Sequence, residues 1–288
     1  MNLSESIREA TGSKIFQFTA RVAENRPVSP STYRMDLALP ALDSLRIMPG
    51  QFFMMRTSPG FDPLLRRPFS ILSVNCPSDE GGRNLSILFR AVGQGTQLMA
   101  EWDRGQPVDM VGPLGRGFTI PETLGPVVMV AGGLGIASLF ALAESILLRQ
   151  RRPDLWVYIG GKSKDDILMK RELEGMGARV EVTTEDGSMG KMGVVTHWLN
   201  VEASRLTKEK DSLVYACGPL QMVARVAEIT QRFSLPCQVS LESRMACGVG
   251  SCLGCAVRTR DKGYQMVCKD GPVFEAGKID WKRPQRLL

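Results

Sequence analysis

The chain has 288 residues, 43 % of them hydrophobic, and a formal net charge of +6. This length and composition indicate a globular protein with two domains and a smaller module. Residues 1–13 contain no apolar stretch of the kind found in export signals, so we expect a cytoplasmic protein with reduced thiols. The single histidine, His197, excludes a histidine-rich metal site, and its position beside Trp198 at a predicted helix start favours a structural role over a place in a catalytic triad.

From Lys14 onward the sequence has short alternating strands separated by proline and glycine. The strands lie at residues 15–29, 32–40, 49–58 and 84–90, and residues 108–118 complete the series. Strands of this length and spacing predict a β-barrel or a sandwich.

Two motifs in this first part are suited to binding phosphate. The first, Arg67-Pro68-Phe69-Ser70, offers a guanidinium, a hydroxyl and a nearby aromatic ring, although an arginine pair is more often a solvated edge. The second contains Gly95 and Thr96 and enters a predicted helix over residues 96–102, whose first N–H groups face an anion. The alternative for the second motif is an ordinary helix cap at Thr96.

The longest apolar run, residues 126–148, is nearly as long as a membrane span. Its glycines at positions 132, 133 and 135, together with Glu144, favour a strand, a tight turn and a buried helix instead. Such a unit begins a nucleotide-binding fold, in which pyrophosphate approaches bare backbone. The turn departs from the G-x-G-x-x-G fingerprint because Ser138 stands in place of the third glycine.

An alternation of strands and helices follows this turn and predicts a doubly wound α/β domain. The predicted strands are residues 155–160, 179–184 and 212–217, and the predicted helices cover residues 165–176 and begin again at residue 194. Cys217-Gly218-Pro219 ends one strand where open α/β sheets bind ligands, although Cys217 also suits a small buried position. Glu185 and Asp186 end another strand and favour NAD over NADP, because a carboxylate accepts ribose hydroxyls and repels a 2′-phosphate.

Four of the seven cysteines lie within thirty residues near the C-terminus. Cys247, Cys252, Cys255 and Cys268 have the C-x4-C-x2-C…C spacing of a plant-type [2Fe–2S] site. Gly248, Gly250 and Gly254 suit a loop that folds over a cluster, because glycine reaches positive φ at low cost.

Two other uses of these cysteines stay open at this point. A zinc site also takes four thiolates, but its ligands usually come as two short C-x2–4-C pairs. Disulfides are less suited to a chain with seven cysteines and no export signal. Cys76 and Cys237 have no spaced partner, and we assign them no role.

The C-terminal segment, residues 258–288, has a local charge of +4 from eight basic and four acidic side chains. No RNA-binding motif, helix-turn-helix or zinc finger accompanies it, so a solvated face or a partner surface is favoured over nucleic-acid binding.

The motifs in this order resemble the ferredoxin-reductase superfamily, in which a β-barrel holds FAD and an α/β domain holds a pyridine nucleotide. The C-terminal part, including residues 242–250 and 267–274, is similar to the electron-transfer subunit of class 1B dihydroorotate dehydrogenases. The likeness covers nearly the whole chain from about Lys14.

This resemblance implies specific cofactor residues. The implied FAD contacts are Arg67, Pro68, Phe69, Ser70, Leu88, Phe89, Arg90, Gly95 and Thr96. The implied NAD contacts are Gly132, Gly133, Gly135, Cys217, Gly218 and Pro219. The implied domains are a barrel over residues 14–120, an NAD-binding domain over 121–232 and a cluster module over 233–288.

The resemblance also implies a function in pyrimidine biosynthesis. Electrons would pass from the FMN of a dihydroorotate-oxidising partner through [2Fe–2S] and FAD to NAD, in a heterotetramer with two copies of each subunit and no membrane. No residue of this chain then needs to act as a nucleophile or a general base. The rival expectation is a flavin and iron–sulfur subunit of an NADH-dependent ferredoxin:NADP oxidoreductase, a sulfide dehydrogenase or a hydrogenase. A non-enzymatic module with structural zinc is a further alternative.

Overall fold

A computed structural model describes residues 14–42, 45–58, 60–75, 83–149, 153–261 and 263–282. Residues 1–13 and Cys76, which the sequence analysis considered, lie outside these ranges. The first part of the chain forms a closed barrel with strand order β1-β2-β5-β4-β3-β6, which confirms the predicted β-barrel. Its strands are β1 (Phe16–Ser29), β2 (Thr32–Ala38), β3 (Phe52–Met55), β4 (Arg67–Asn75), β5 (Asn84–Arg90) and β6 (Pro107–Leu114).

Strand β3 is buried on both faces, which explains its unbroken apolar sequence. Phe53 and Met55 point into the barrel core. Phe52 and Met54 point outward, into a second core that also contains residues of the C-terminal module. Because successive side chains of a strand alternate between faces, this one short strand joins the two cores.

The second part of the chain builds a largely parallel sheet with the order β10-β9-β8-β7-β11-β12-β15. This arrangement confirms the predicted α/β nucleotide-binding domain. The strands are β7 (Val127–Gly132), β8 (Leu155–Gly161), β9 (Arg179–Thr184), β10 (Lys191–Met192), β11 (Leu213–Cys217), β12 (Cys237–Ser240) and β15 (Val273–Glu275). The helices are α1 (Gln94–Ala100) in the barrel, then α2 (Ile136–Leu147), α3 (Lys170–Gly175), α4 (Thr196–Leu206) and α5 (Leu220–Arg232).

Two predicted helices have different bounds in the structure. The helix predicted over residues 165–176 is split into a short 3-10 turn, Lys164–Asp166, and α3. Met169, with a φ of 60°, separates the two because a left-handed residue cannot continue a helix. The helix predicted over residues 96–102 begins two residues earlier, at Gln94.

The C-terminal module contacts both other parts of the chain. Its hairpin consists of β13 (Ala256–Thr259) and β14 (Gly263–Met266), and β15 pairs antiparallel with β12 at the edge of the large sheet. The backbone N–H of Arg116, just after the barrel, donates to the carbonyl of Gly271 at 2.6 Å. The module therefore lies against the barrel and the sheet at once.

Polar side chains link the barrel to the α/β domain. Arg90 at the end of β5 forms an ion pair with Asp166 at 2.6 Å. The Ser73 hydroxyl on β4 donates to the Glu144 carboxylate on α2 at 3.0 Å.

Within the described residues, no helix combines the length and the hydrophobicity needed to span a bilayer.

Glu144 is the charged group in an otherwise apolar helix, and its titration should affect stability. Burial raises its pKa, although the hydrogen bond from Ser73 and the charge of Arg34 act in the opposite direction. The folded state therefore holds this proton more tightly than the unfolded state does. Stability must then decrease as the pH rises through the usual glutamate range towards the raised pKa.

We predict that Glu144→Gln, which keeps an acceptor for Ser73, stabilises the protein at pH 7.5 by on the order of 1 kcal/mol. The gain should shrink as the pH falls through the usual glutamate range, below which the wild-type carboxyl is protonated in both states. Urea unfolding at several pH values measures this difference. The exposed Glu122, substituted by Gln, is the matched control, and equal pH dependence in both variants would contradict the assignment.

Candidate cofactor and nucleotide sites

Arg67 and Gly95, which belong to two separate predicted motifs, lie side by side in the barrel. A Cβ atom added to Gly95 would lie 3.4 Å from the Arg67 Nε and 2.7 Å from the Thr57 Oγ1. A guanidinium and the backbone at the start of α1 therefore border one small space. This pairing is the chemistry that holds a diphosphate.

Three polar atoms at this end of the barrel lack a partner within the described residues. They are the Thr57 Oγ1, on a side chain that is 1 % exposed, the Arg90 Nε, and the Oγ1 of Thr32, which pairs with Arg90 across neighbouring strands. Buried polar atoms are nearly always hydrogen-bonded, so unpaired ones mark places where a ligand supplies the partner. The residues present therefore fit a flavin dinucleotide, and Thr57 is a candidate that the sequence analysis missed.

The remaining residues of the barrel motifs face in two directions. Phe69 and Phe89 are buried in the barrel core, with their rings edge to face at 6.3 Å. Leu88 packs into the core of the α/β domain. Pro68 and Ser70, on the other face of β4 from Phe69, are partly exposed. The buried rings can offer a cofactor only their backbone, whereas Pro68 and Ser70 can also offer their side chains.

Thr96 uses its hydroxyl within its own turn. Its Oγ1 accepts from the N–H of Val92 and of Gly93, both at 3.1 Å, and donates to the Gly93 carbonyl at 3.0 Å. Gly93 is the N-cap, so Thr96 occupies the third helical position and the expected cap at Thr96 is wrong. A ligand at this turn would meet backbone N–H groups rather than the threonine hydroxyl.

The predicted nucleotide loops meet at the carboxyl edge of the sheet. Strands β7 and β11 are parallel neighbours, and Ala131 pairs with Cys217. A Cβ on Gly135 would lie 2.3 Å from the Cys217 carbonyl oxygen, and one on Gly218 would lie 2.8 Å from the Gly132 nitrogen. Only glycine permits this approach, and it leaves a surface of bare backbone such as a pyrophosphate needs.

Cys217 lies beneath this surface as a neutral thiol. Burial raises its pKa to about 12, and the nearby charge of Glu242 acts in the same direction. Ser138, which replaces the third glycine of the fingerprint, is buried and hydrogen-bonds with this thiol, as does Ser240. Cys217 can therefore shape the pocket, but its proton is not available to chemistry near neutral pH.

The carboxylates after β9 have different surroundings. Asp186 accepts from the Ser188 N–H at 2.9 Å and from its hydroxyl at 2.6 Å, and these bonds lower the pKa of Asp186. Glu185 is exposed and makes no hydrogen bond or ion pair through its side chain with the described residues. Of the two, Glu185 is the carboxylate whose oxygens are not already bound within the turn.

The four cysteines of the C-terminal module lie in two pairs. The Cys255 and Cys268 sulfur atoms are 3.2 Å apart. The Cys247 sulfur hydrogen-bonds with the Cys252 thiol and also accepts from the N–H of Cys252 at 3.4 Å. Within the described residues no three Cys, His or carboxylate groups converge on a single-ion site. Two thiolate pairs are the set that two irons of one [2Fe–2S] cluster require.

Backbone N–H groups surround these sulfur atoms. Gly250 donates to Cys268 at 3.1 Å and Val249 donates to Cys247 at 3.5 Å. Burial opposes the ionisation of Cys247, but the N–H groups of Val249 and Cys252 outweigh it and lower its pKa to about 7. The hydrogen bond between the two thiols of the other pair lowers the pKa of Cys255 to about 6 and raises that of Cys268.

Two of the three glycines of this loop have the positive φ that the sequence predicts. Gly248 and Gly250 have φ values of 73° and 83°. Gly254 does not adopt positive φ, and Leu253 has a φ of 60° instead, so the expectation for Gly254 is wrong. A Cβ on Gly248 would lie 2.6 Å from the Met54 Cγ, which shows how closely the loop packs on the barrel.

Cys237, His197 and the basic residues near the C-terminus, which the sequence also singles out, make contacts within the protein itself. Cys237 begins β12 as a buried thiol that forms no disulfide, and His197 is an exposed residue with its ring against Trp198. Two basic residues of the C-terminal segment are neutralised, Arg258 by Asp280 and Lys278 by Glu275.

Three family models match successive parts of the chain. They are the oxidoreductase FAD-binding domain over residues 19–118, the oxidoreductase NAD-binding domain over 129–228 and the iron–sulfur cluster binding domain of dihydroorotate dehydrogenase B over 242–280. These matches agree with the barrel, the α/β domain and the cysteine module, and they identify FAD, NAD and an iron–sulfur cluster as the cofactors.

Relatives of the same architecture match almost the whole chain. The dihydroorotate dehydrogenase B (NAD+) electron transfer subunit of Desulforamulus reducens is 37 % identical over 268 residues, covering 92 % of this chain and 98 % of the relative. The subunit of the same name from Bacillus caldolyticus is 37 % identical over 265 residues, covering 90 % of this chain and 96 % of the relative.

Among solved structures, that of the NADH-dependent reduced ferredoxin–NADP oxidoreductase matches with a TM-score of 0.76. Its sequence is 25 % identical, and the match covers 91 % of this chain and 90 % of that chain. The two relatives are more similar to this chain in sequence than the solved structure is. The match also covers each relative over nearly its full length. The chain thus belongs to the family of dihydroorotate dehydrogenase B (NAD+) electron transfer subunits.

Proposed function

We propose that this chain carries electrons from the FMN of a dihydroorotate-oxidising partner, through a [2Fe–2S] cluster and FAD, to NAD, in pyrimidine biosynthesis. The observation that carries the proposal is the packing of the cysteine loop, with its two thiol pairs, directly on the flavin-binding barrel. A protein that only bound nucleotide would have no need of this contact.

The three cofactors together supply hydride exchange at nicotinamide, single-electron exchange at the cluster and both at the flavin. The residues of the chain position these groups and shape their surroundings. Backbone N–H groups at the cysteine sulfurs stabilise negative charge there, which tunes the ease of reduction. No acid, base or nucleophile is required of the protein.

The assignments of individual contacts are part of this proposal. In the barrel, Arg67 and the N–H groups of Gly95 and Thr96 would bind the FAD diphosphate. The side chains along the flavin would be those of Pro68, Ser70 and Arg90. The backbone beside the flavin would be that of Phe69, Leu88 and Phe89. In the α/β domain, Gly132, Gly133, Gly135, Gly218 and Pro219 would line the NAD site above Cys217. Cys247, Cys252, Cys255 and Cys268 would hold the cluster.

The finer organisation is proposed on the same basis. The domains would extend over residues 14–120, 121–232 and 233–288, although β12 and β15 of the last segment also pair with the large sheet. The names of the relatives, which describe a subunit, support a catalytic partner. We propose a heterotetramer with two copies of each chain, located in the cytoplasm.

A second candidate function is supported by the likeness to the NADH-dependent reduced ferredoxin–NADP oxidoreductase. In such a complex the cofactor chemistry of this chain would be the same and the partner would differ. Adding dihydroorotate to the anaerobic native complex separates the two functions. Bleaching of flavin and cluster absorption, reversed by NAD, supports dihydroorotate oxidation, whereas bleaching by NADH but not by dihydroorotate would favour the other complex.

The thiol pairs generate a prediction about cluster loss. Replacing Cys255, which is buried beside Cys268, by Ser should abolish the cluster absorption, because one iron loses a thiolate. The dihydroorotate-to-NAD rate should fall at least tenfold. FAD content and flavin reduction by NADH should be retained. Visible spectra measure the cluster absorption and the flavin content, and iron analysis measures the cluster content.

Cys237→Ser is the matched control, since Cys237 is also a buried thiol but lies apart from the pairs. It should keep iron, sulfide and transfer rate at wild-type levels. A Cys255 variant that retained full iron and full transfer would contradict the ligand assignment.

The surroundings of the two carboxylates predict the nucleotide preference. Glu185→Gln should reduce the preference for NADH over NADPH by about tenfold, because a charge that repels the 2′-phosphate is lost. Steady-state flavin reduction with each nucleotide measures the ratio of kcat/KM values. Asp186→Asn is the control, and it should leave the ratio near wild type because Asp186 is bound to Ser188. An unchanged ratio in the Glu185 variant would contradict the assignment.

The partner surface is proposed to include Lys269 and the cluster loop, because electrons must enter there. The Lys269 side chain packs over Gly250, where an added Cβ would lie 2.9 Å from its Cδ. Close by, Cys252 is exposed and Leu253 is 64 % exposed. Lys269 makes no ion pair with the described residues, in contrast to Lys278, which pairs with Glu275.

We predict that Lys269→Glu weakens association with the partner by about tenfold, as expected for reversing a charge at an interface rim. The effect should diminish at high salt, because screening weakens both the attraction and the repulsion. Biolayer interferometry at two ionic strengths measures it. The exposed Lys208 of the α/β domain, substituted by Glu, is the control, and equal small effects of the two variants would place the interface elsewhere.

A further inference from the structure

The guanidinium of Arg90 faces two parts of the molecule at once. Its Nη2 lies 2.6 Å from the Asp166 Oδ1 in the α/β domain, whereas its Nε has no partner within the described residues. Arg90 ends β5, and Gly93 begins the cap of α1 shortly after it. The same group therefore belongs to the proposed flavin site and to the contact between the domains. Because a guanidinium is planar and rigid, a ligand that fixes one of its nitrogens also orients the others.

The ion pair between Arg90 and Asp166 is partly shielded from solvent. The Arg90 side chain is 32 % exposed and the Asp166 side chain is 17 % exposed. By comparison, Arg179 and Asp154 are 3.3 Å apart within the α/β domain and are 60 % and 38 % exposed. Water and salt screen an exposed pair, so such a pair contributes little. The shorter and less exposed pair at Arg90 is better suited to link the positions of two domains.

Asp166 divides its carboxylate oxygens between the barrel and its own loop. Its Oδ1 accepts from Arg90, and its Oδ2 accepts from the Lys162 N–H at 2.9 Å. Burial opposes the ionisation of Asp166, but these donors outweigh it and lower its pKa. A Cβ added to Gly161 would lie 2.6 Å from the Asp166 Cβ, so the loop folds tightly on the end of β8. The carboxylate thus fastens Arg90 to the loop after β8, residues 162–166.

The loop after β8 is bonded in turn to the segment that follows β9. The Lys162 carbonyl accepts from the Asp186 N–H at 3.2 Å, and the Lys164 N–H donates to the Ser188 hydroxyl at 2.8 Å. On its other side, β8 is the parallel neighbour of β7, which leads into the glycine turn. The loop after β8 therefore lies between two parts of the proposed nucleotide site.

A continuous series of hydrogen bonds connects the two cofactor sites. It leads from the Arg90 guanidinium through both oxygens of Asp166 to the backbone of Lys162, and from there to the segment after β9. Two ligands that favour the same arrangement of one network strengthen each other's binding. By linkage, the effect is equal in both directions.

We infer that Asp166 is a positioning residue that couples the flavin site to the nucleotide site, so that a nucleotide bound to the α/β domain slows the release of FAD from the barrel. The inference rests on the proposed FAD and NAD sites and goes beyond them by naming the connection between them. Asp166 acts through Arg90 and through the loop after β8, not by contact with a reacting atom.

The test uses ADP-ribose, which contains the adenosine and the pyrophosphate of NAD but no nicotinamide. Such a ligand cannot stack on the flavin, so its effect on FAD must pass through the protein. The oxidised, cluster-loaded holoprotein is diluted with and without saturating ADP-ribose, and the fluorescence of released FAD gives the release rate. In the wild type, ADP-ribose should slow release by about fivefold, which is the lower end of the usual range of coupling between sites.

Asp166→Asn should reduce this factor to less than about twofold, because an amide has no charge and only one acceptor oxygen. The factor is a ratio of two rates in the same variant, so a direct effect of the substitution on FAD affinity cancels. Asp166→Glu keeps the charge and both acceptor oxygens, and it should recover most of the wild-type factor.

Ser188→Ala tests the same connection at a point away from Arg90. It removes the bond from Lys164 and leaves the ion pair of Asp166 intact. The slowing by saturating ADP-ribose should decrease to about half of the wild-type factor. This variant gives a result even if Asp166→Asn does not retain FAD.

Asp154→Asn is the matched control. Asp154 precedes β8 whereas Asp166 follows it, and its ion pair with Arg179 stays within the α/β domain. This variant should keep the full wild-type factor.

Equal release rates with and without ADP-ribose, in wild-type protein that calorimetry shows to bind this ligand, would overturn the inference. A full factor in both Asp166→Asn and Ser188→Ala, or an equal loss in the Asp154→Asn control, would also overturn it. Failure of the wild-type chain to bind either ADP-ribose or NADH would instead refute the proposed NAD site on which the inference rests.

Discussion

The contact between Met54 and Gly248 is the interaction on which the arrangement of the molecule depends. Met54 points away from the barrel core, and its Cγ lies so close to Gly248 that no side chain would fit there. Phe52 and Leu114 extend this apolar surface, and Cys255 and Cys268 belong to the same core. A one-electron carrier is useful only at a fixed short distance from the flavin, and packing of this density provides that constraint.

A second constraint operates where the nucleotide must approach the flavin. Gly135 and Gly218 allow two loops to meet backbone to backbone, and Ser138, which stands in place of the third glycine of the fingerprint, hydrogen-bonds with the Cys217 thiol. The Ser73–Glu144 hydrogen bond and the Arg90–Asp166 ion pair hold the barrel against this part of the chain. Arg90 thus has one nitrogen bound to the α/β domain and another, its Nε, without a partner in the described residues.

The sequence predicted the features that depend on local spacing. The four cysteines, the glycine turn at 132–135 and the strand at residues 84–90 carry their geometry in their residue types, and strand alternation predicted the barrel. Other features depend on tertiary contacts. Thr57 has no local signal, because its importance comes from Gly95 and Arg67 approaching it through space. Gly254 looked like Gly248 and Gly250, yet the left-handed residue is Leu253, since the path of the loop around the sulfurs decides which residue must turn.

The most direct test of the central claim is an anaerobic titration of the purified chain with NADH, followed by visible absorption and by electron paramagnetic resonance at low temperature. If the cysteine module and the barrel hold their cofactors in contact, NADH should bleach the flavin band and produce the spin signal of a reduced [2Fe–2S] cluster in the same molecules. Flavin bleaching without any cluster signal, in protein that contains its full iron, would contradict the account.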